Sequence, residues 1–205
     1  TYNEPFIWFE YVRETAALVR AAGLVNVLVT NGLVEAAPLE ELLPFVDAMN
    51  IDVKAMSERF YLEHCAGQGL PARQTVERVA GRCHVEVTNL LIPGANDSET
   101  EVRALVDWLA GVSPEIPLHF SAYHPDYQFD APPTPLATLQ RAYDLAREKL
   151  RYVYVGNAWL PGTTDTRCGG CGMVVVRRRG MSGEVVGLTG EGRCAGCGAD
   201  LNFRV

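Results

Sequence analysis

The chain has 205 residues, of which 48% are hydrophobic and 21% are charged, and its formal net charge is −7. These fractions exclude a disordered chain and leave room for one sizeable core with a small appendage. The acidic balance argues against a general nucleic-acid-binding surface, so we predict no nucleic-acid partner and interpret RRRG at 177–180 as a solvated hairpin face. No apolar run reaches the roughly 18 residues of a membrane helix, so no membrane partner is expected.

The first predicted element is an amphipathic helix in the stretch IWFEYVRETAALVRAAG. It ends at Gly23, and glycine is the residue most suited to a helix C-terminus. The positions that recur at three- and four-residue spacing are Trp8, Tyr11, Val12, Thr15, Leu18 and Val19.

Strand-like and helix-like stretches alternate after that helix. The strand candidates are LVNVLVTNG, DAMNIDVKAM, HVEVTNLLIPG, PLHFSAYHP and YVYVGN. The helix candidates are PLEELLPFV, a segment near 74–80, SETEVRALVDWLAG and TPLATLQRAYDLAREKL. In the third of these, Ser98 as N-cap and Glu101 three residues on form a capping box. Strands that alternate with helices through short connections imply a parallel sheet, and we therefore predict the α/β fold class.

The composition changes near Leu160, where glycine becomes dense and helical periodicity ends. We therefore predict two domains, residues 1–159 and residues 160–205, with the linker AWLPGTTDTR at their boundary.

Four of the six cysteines form two matched pairs in the second domain, CGGCG and CAGCG, at Cys168, Cys171, Cys194 and Cys197. Two CxxC units, each followed by glycine, are typical of metal knuckles in which four thiolates hold one structural Zn²⁺. The intervening MVVVRRRGMSGEVVG predicts a hairpin that brings them together. Two disulfides and a rubredoxin-like iron are the alternatives. Thiolates on metal also indicate a reducing cytoplasm, whereas Cys65 and Cys83 match no ligand spacing and are interpreted as structural.

Parallel α/β proteins place their chemistry at the carboxyl ends of their strands. Asp52 and Lys54 lie two apart at one such end and suit a zwitterionic or polyhydroxylated ligand, with a plain salt bridge as the alternative. His124, in AYHPDY, follows the fourth strand and suits a nucleobase or ribose, although a lone histidine is more often structural. Thr30 and Asn31 offer oxygens to a cation or ligand, and the turn IPGAND offers backbone amides.

The first residues, TYNEP, lie where a strand preceding the first helix would end. Asn3 and Glu4 suit an ammonium group there, with capping of the helix as the alternative. We interpret this segment as a loop whose own strand is missing, and we expect the chain to be a fragment.

These segments together resemble a known family. The order YNEP, VTNG, DAMNIDVKAM, LLIPGANDSE and AYHPDY, followed by CxxCG pairs, resembles the radical S-adenosylmethionine (SAM) superfamily. Within it, the similarity is to pyruvate formate-lyase activating enzyme-like proteins, above all the AmmeMemoRadiSam system radical SAM enzymes, and it covers essentially the whole chain. The resemblance implies a partial parallel (β/α) barrel, here missing its first strands, followed by a zinc-ribbon-like domain.

The resemblance also implies a chemistry. Members of the family bind a [4Fe–4S] cluster on a CxxxCxxC loop and cleave SAM reductively into methionine and a 5′-deoxyadenosyl radical, which abstracts hydrogen from a substrate. The positions that match SAM contacts are Asn3, Glu4, Asp52, Lys54 and His124. Tyr2 and Asn3 replace two glycines of the family pattern. A monovalent-cation position is matched by Thr30, Asn50 through its carbonyl, and Asp52, although Val29 replaces the expected acidic residue.

The chain departs from the family because CxxxCxxC occurs nowhere in it. The resemblance therefore predicts a longer radical SAM enzyme with its cluster ligands upstream, and an inactive chain without catalytic residues of its own. A natural remnant that cannot cleave SAM is the alternative. AMMECR- and Memo-family partners are expected from the same resemblance, whereas the substrate, protein or small molecule, is left open. Two other readings remain: a non-enzymatic zinc-ribbon module that binds a nucleotide or protein, and an aldolase with Lys54 as Schiff-base lysine.

Overall fold

The computed structural model describes residues 3–180, 182–201 and 203. Within them the helices are α1 (Phe9–Ala21), α2 (Ala36–Leu42), α3 (Glu58–His64), α4 (Leu70–Val79), α5 (Glu99–Val112) and α6 (Leu136–Arg147). The strands are β1 (Val27–Thr30), β2 (Ala48–Asp52), β3 (His84–Leu91), β4 (Leu118–Ala122), β5 (Val153–Gly156), β6 (Thr166–Arg167), β7 (Val174–Arg179) and β8 (Ser182–Val185). Among these described residues, no helix is both long and apolar enough to span a membrane.

The first five strands form one sheet in the order β1-β2-β3-β4-β5, so each strand lies beside its predecessor. All four pairings are parallel. Right-handed crossovers that always step in the same direction place the connecting helices on one face, as in a (β/α) barrel and unlike a doubly wound sheet. The predicted α/β class, with the architecture of a partial parallel barrel, is confirmed.

The face of the sheet that the helices cover forms the main core. Ile51 of β2, Val87 of β3 and Phe120 of β4 are all completely buried there. They belong to one hydrophobic cluster with Leu109 of α5 and Leu139 of α6. Burial of this many large side chains is the main source of stability of the α/β part.

The opposite face, which we call the open face, carries mainly polar side chains. They are Asn50 and Asp52 of β2, His84, Glu86 and Thr88 of β3, His119 and Ser121 of β4, and Tyr154 of β5. Each of them is exposed or half-buried. On the edge strand β1, Val27 and Val29 are 60% and 66% exposed. Parallel sheets are normally covered on both faces, so this face is the one that is available to a ligand or another segment.

Helix α1 packs through a narrower stripe than its sequence suggests. Its core contacts come from Phe9, Val12 and Ala16. Tyr11 and Leu18, which share the three- and four-residue spacing, are 69% and 72% exposed. The spacing therefore identified the helix but not the side of it that packs.

The predicted glycine at the end of α1 is observed, and the predicted capping box at the start of α5 is formed only in part. Gly23 ends α1 with a φ of 74°, as a C-terminal glycine should. At the start of α5, the Ser98 hydroxyl accepts a hydrogen bond from the Glu101 N–H at 3.2 Å. The Glu101 carboxylate does not complete the capping box; it accepts hydrogen bonds from the backbone N–H groups of Met56 and Ser57 instead. Glu101 thus holds the loop that follows β2.

The last three strands form a separate antiparallel sheet, in which β7 and β8 are the hairpin predicted between the cysteine pairs. We call residues 166–203, which contain this sheet and the two cysteine pairs, the C-terminal unit. Its buried core consists of Cys168, Val175, Cys194 and Leu201. Because two of these four are cysteines, apolar packing alone gives the unit little stability. The predicted domain boundary at 159/160 stays a prediction.

Candidate functional site

Because the five strands are parallel, their carboxyl ends meet at one edge of the sheet, which we call the carboxyl edge. Glu4 reaches this edge beside β1, and Asp52 and Lys54 lie at the end of β2. His124 follows β4 by two residues. The structure therefore brings these predicted ligand groups to the same edge, although their roles toward SAM stay predictions.

Glu4 connects the start of the chain to the end of β1. Its Oε1 accepts hydrogen bonds from Thr30 Oγ1 at 2.5 Å and from the Phe6 N–H at 3.3 Å. Its Oε2 accepts one from the Asn31 N–H at 2.7 Å. The carboxylate thus caps the first helical turn and anchors it to the strand end at the same time.

Side chains hold both the backbone N–H and the backbone carbonyl of Lys54 on the carboxyl edge. Its side chain pairs with Asp52 (Nζ to Oδ2, 3.0 Å), and about a third of each side chain is exposed. Its N–H donates to the Tyr61 hydroxyl at 2.9 Å. Its carbonyl accepts hydrogen bonds from the amide groups of Asn96 at 2.6 Å and Asn89 at 3.1 Å. Both asparagines are almost fully buried, so donor and acceptor of Lys54 are fixed from inside the protein.

Sequence reasoning missed the residues that hold Lys54. Asn96 lies in IPGAND, and its Oδ1 accepts from the Ile92 N–H at 2.7 Å, so the segment braces two loops instead of simply exposing its amides. Asn89 occupies the alternation phase of β3 that is otherwise buried and apolar, shared with Val87 and Leu91. A polar residue in a buried phase is the signal that could have found it.

His124 joins the ends of β4 and β5. Its Nε2 lies 3.1 Å from the Asn157 carbonyl, and the ring is otherwise exposed. Asn157 adopts a φ of 57°, a left-handed conformation that asparagine tolerates better than most residues. The contact fixes one ring nitrogen and leaves the other to a ligand.

The predicted cation residues do not converge through their side chains. Thr30 pairs in register with Ile51, so its hydroxyl lies on the helix-covered face, where it donates to Glu4. Asn50 and Asp52 lie on the open face. The cation site stays a prediction. Since these side chains lie on opposite faces of the sheet, its ligands would have to include backbone carbonyls. Tyr2 lies outside the described residues.

A second polar group lies on the open face, one step from the carboxyl edge. The strand register aligns Asp52, Thr88, His119 and Tyr154 in one row across β2 to β5. Neighbouring strands are about 4.8 Å apart, so His119 lies within about 10 Å of Asp52, measured between backbones. A ligand of nucleoside size held at Asp52 would extend over this row.

Glu86 anchors that group. Its Oε2 accepts a hydrogen bond from His119 Nε2 at 2.8 Å, and its Oε1 accepts one from His84 Nε2 at 3.1 Å. Burial acts to raise the pKa of Glu86, but the hydrogen bonds from His119 and His84 outweigh it and hold the pKa well below its ordinary value. The carboxylate is therefore charged, and it orients both imidazoles.

The four predicted metal ligands come together. The Sγ atoms of Cys168, Cys171, Cys194 and Cys197 all lie within 4.8 Å of one another. Two of the separations are 3.5 Å (Cys168 to Cys197) and 3.6 Å (Cys171 to Cys194). These are close to the edge of about 3.8 Å of a tetrahedron with 2.3 Å metal–sulfur bonds, and they are far longer than the bond of about 2.05 Å in a disulfide. The donor set thus fits one metal ion, and the disulfide alternative does not hold.

The electrostatics of the thiols agree with that fit. Burial acts to raise the pKa of Cys168, but hydrogen bonds from the Cys171 and Gly170 amides outweigh it and lower the pKa to about 6. At Cys197, the Ala199 amide favours the thiolate, yet the neighbouring Cys168 and Cys171 sulfurs raise the pKa to about 12. Four thiolates cannot share this volume unless a cation neutralises them.

The two other cysteines belong to different surroundings. Cys83 packs against the main core, and burial raises its pKa to about 11. Cys65 packs beside a smaller cluster that includes Phe60 and Tyr61, and burial raises its pKa as well. Neither is the lowered-pKa thiol of a reactive or metal-binding site, in agreement with a packing role.

The chain is similar in sequence to a longer protein of Methanocaldococcus jannaschii. It is 38% identical over 211 aligned residues to the uncharacterized protein MJ0808 of Methanocaldococcus jannaschii, and the match covers 99% of this chain. The chain spans 62% of the length of that curated relative. No family model matches the chain.

Solved structures with the same fold come from radical SAM proteins and their relatives. A domain of pyruvate-formate lyase-activating enzyme from Bacteroides vulgatus matches with a TM-score of 0.66 at 19% identity, over 77% of this chain and 96% of that one. Streptococcus suis SuiB bound to S-adenosylmethionine matches with a TM-score of 0.60 at 13% identity, over 76% of this chain and 38% of that one. A radical SAM methyltransferase from Sphaerobacter thermophilus matches with a TM-score of 0.55 at 18% identity, over 74% and 48% of the two chains. At these identities the likeness is one of fold.

Proposed function

We propose that this chain is the C-terminal part of a radical SAM enzyme of the AmmeMemoRadiSam type. The reaction proposed for the longer protein is the reductive cleavage of SAM into methionine and a 5′-deoxyadenosyl radical that abstracts hydrogen from a substrate. The observation that supports the proposal is that Glu4, Lys54 and His124 all lie at carboxyl ends of strands in one parallel sheet, in a fold shared with a SAM-bound structure. We also propose AMMECR- and Memo-family proteins as partners of the longer protein, and a protein or a small molecule as its substrate.

The roles that we assign follow from the chemistry of each side chain. The Lys54 ammonium would bind the carboxylate of the methionine moiety. Asp52 would orient that ammonium group and accept a hydrogen bond from a ribose hydroxyl. Glu4, at the end of β1, would accept a hydrogen bond from the SAM amino group beside Asn3. The exposed nitrogen of His124 would contact the ribose or adenine. Each role uses a side chain whose position is already set by a contact on the carboxyl edge.

Outside the four-cysteine site, the residues of this chain do not fit a [4Fe–4S] cluster. The free cysteines outside the C-terminal unit are Cys65 and Cys83, which are too few and are not grouped. We propose that the cluster ligands belong to the remaining part of the longer protein and that the chain alone does not cleave SAM. Anaerobic reconstitution should load iron at most into the four-cysteine site. A SAM-reducible [4Fe–4S] cluster on this chain would contradict this part of the proposal.

For the four-cysteine site we propose Zn²⁺ in a structural role. Four sulfur donors in a tetrahedral arrangement close the coordination sphere, so no open position remains for chemistry. Lys54 is paired with Asp52, so we propose that it binds the ligand as an ammonium ion and does not act as a Schiff-base lysine.

Titration calorimetry with SAM tests the binding proposal directly. Lys54→Ala should weaken SAM binding about tenfold to a hundredfold, because a hydrogen bond to a charged group contributes about 1.5–3 kcal/mol. His124→Ala should weaken it less, because its contact is to a neutral part of the ligand. The matched control is Lys149→Ala: Lys149 also pairs with an aspartate, Asp107 at 2.6 Å, but on an exposed surface.

The titration has two informative failures. Equal SAM affinity of Lys54→Ala and Lys149→Ala would remove the assigned lysine role while leaving SAM binding itself in place. Absence of SAM binding both by this chain and by the longer relative would overturn the proposed class and would favour the binding-module alternative.

A further inference from the structure

The C-terminal unit contacts the open face of the sheet at the Tyr154 ring, in addition to a hydrogen bond from the Tyr152 hydroxyl to the Leu201 carbonyl at 3.4 Å. The Tyr154 hydroxyl lies 2.8 Å from Thr166 Oγ1, and the Arg178 guanidinium lies 5.1 Å from the centre of the Tyr154 ring. Arg178 Nη1 donates to Thr166 Oγ1 at 2.6 Å and to the Thr164 carbonyl at 3.2 Å. Its backbone N–H donates to Asp165 at 2.9 Å. Hydrogen bonds and one cation–π interaction therefore join Tyr154, Thr166 and Arg178 to one another.

This use of Arg178 corrects the expectation for RRRG. Arg177 and Arg179 are exposed, as a solvated hairpin face requires, but Arg178 between them is half-buried. The alternation of β7 sends every second side chain to the other side, and that side faces Tyr154.

On its other side, Tyr154 contacts the histidine–glutamate pair of the open face. The His119 ring stacks on Tyr154 with centroids 5.1 Å apart and an interplanar angle of 27°. His119 Nε2 is held by Glu86 at 2.8 Å. A continuous line of contacts thus runs from Arg178 through Tyr154 and His119 to Glu86.

The Arg178 end of this line depends on the four-cysteine site. Thr166 lies two residues before Cys168, and Arg178 lies on the strand that follows the first knuckle. The knuckle is closed by hydrogen bonds between Cys168 and the segment up to Met173, around the sulfur cluster. The apolar core of the C-terminal unit is small, and units of this size commonly gain much of their stability from a bound metal ion.

We propose that Arg178 is a positioning residue through which metal in the four-cysteine site orders the His119–Glu86 pair on the open face. Metal at the cysteines fixes Arg178 and Thr166, these fix the Tyr154 ring, and the ring fixes the plane of His119. The imidazole then presents its remaining nitrogen, Nδ1, as an acid–base or hydrogen-bonding group in the same row as Asp52. This coupling goes beyond the proposed function and holds whether or not the chain binds SAM.

Nuclear magnetic resonance of the whole chain, labelled with ¹⁵N-histidine, tests the coupling. The chain contains four histidines, so the ring signals are few and His119→Gln assigns the one of interest. We expect the His119 ring signals to shift when Zn²⁺ is removed by a chelator and to return when Zn²⁺ is restored. His64, which packs against Phe60 and edge-on against Phe129, and His124, on the carboxyl edge, should keep their signals and report that the sheet is still folded.

Variants separate the coupling from general damage. Arg178→Ala with Zn²⁺ still bound should reproduce the His119 shift, and chelation should then add little to it. Tyr154→Phe keeps the stacked ring but loses the bond to Thr166, so a smaller shift is expected. Arg177→Ala, on the exposed side of the same strand, should leave His119 unchanged.

Two results would overturn the proposal. One is a His119 signal that is the same in the metal-free and the Zn²⁺-loaded chain. The other is an unchanged His119 signal in Zn²⁺-loaded Arg178→Ala. If chelation also shifts His64 and His124, the sheet itself has been disturbed, and the comparison of the Zn²⁺-loaded variants alone decides.

Discussion

The carboxyl edge of the sheet and the C-terminal unit are ordered by different means. At the carboxyl edge, the backbone of Lys54 is held by Tyr61, Asn89 and Asn96, which are all buried. Tyr61 belongs to the smaller apolar cluster, and Asn89 shares the buried phase of β3 with Val87 and Leu91 of the main core. In the C-terminal unit, four sulfurs occupy the place that apolar side chains would fill. We therefore expect the first region to keep its shape with or without metal and the second to depend on a metal ion at the four cysteines.

The largest expected effect is the loss of the C-terminal unit without metal. In Cys171→Ser/Cys197→Ser, the strands β6 to β8 should unfold while β1 to β5 stay folded, because a structural zinc site contributes on the order of 10 kcal/mol to folding. Hydrogen exchange should show loss of protection in β7 and unchanged protection in β3, and metal analysis should fall from one Zn²⁺ per chain to none.

A cysteine outside the site provides the control for this experiment. Cys65→Ser should keep both the Zn²⁺ and the protection of β7, since Cys65 takes no part in the sulfur cluster. Protected β7 amides in the metal-free double variant would mean that packing alone folds the C-terminal unit, and the contrast between the two regions would disappear.

These two regions also differ in how far the sequence predicts them. The CxxC spacing of Cys168 and Cys171 is a local pattern with one common chemical meaning, so the sulfur cluster could be predicted. The strand ends at Asp52 and His124 could be placed because parallel strands share one edge. By contrast, the alternation of β3 singles out Asn89 as a buried polar residue, but no local pattern shows that its partner is Lys54, 35 positions away.

The same limit applies to side-chain direction. The run RRRG predicts a hairpin, yet only the packing of the C-terminal unit against β5 decides that Arg178 turns toward Tyr154. In α1 the apolar positions outnumber the contacts that the core offers, so Tyr11 and Leu18 remain exposed. Periodicity in the sequence does not show which side of β7 or of α1 is covered, because that depends on tertiary packing.

An intermediate effect should appear at the carboxyl edge. Asn96→Ala removes the hydrogen bonds to the carbonyls of Lys54 and Leu90, and it takes away the buried acceptor of the Ile92 N–H. Each lost hydrogen bond costs about 1 kcal/mol, and an unsatisfied buried N–H costs about 1–3 kcal/mol. We expect a loss of about 2–4 kcal/mol in urea unfolding of the α/β part, with the metal content unchanged.

The neighbouring Asp97 provides a matched control for Asn96. It accepts a hydrogen bond from the Gly94 N–H at 2.8 Å in an exposed position, so Asp97→Ala should cost well under about 1 kcal/mol. If both variants lost the same small amount, the buried asparagine would not be holding the edge.

The smallest expected effect, and the one that links the two regions, is a pH dependence from Glu86. Because its pKa is lowered in the folded state, Glu86 stabilises the fold above its unfolded pKa of about 4.3, and this stabilisation is lost as the pH falls from there toward the folded pKa. A third of the side chain is exposed, so screening reduces the contribution to about 1–2 kcal/mol. Urea midpoints of the wild-type chain should therefore fall between about pH 5 and pH 3 more steeply than those of Glu86→Gln.

The control is Glu63→Gln. Glu63 forms an exposed ion pair with Arg59 on one helix, so this variant should keep the wild-type slope. Parallel slopes for wild type and Glu86→Gln would mean that the two histidines do not hold the carboxylate in solution, and the line of contacts from the C-terminal unit would then end at His119.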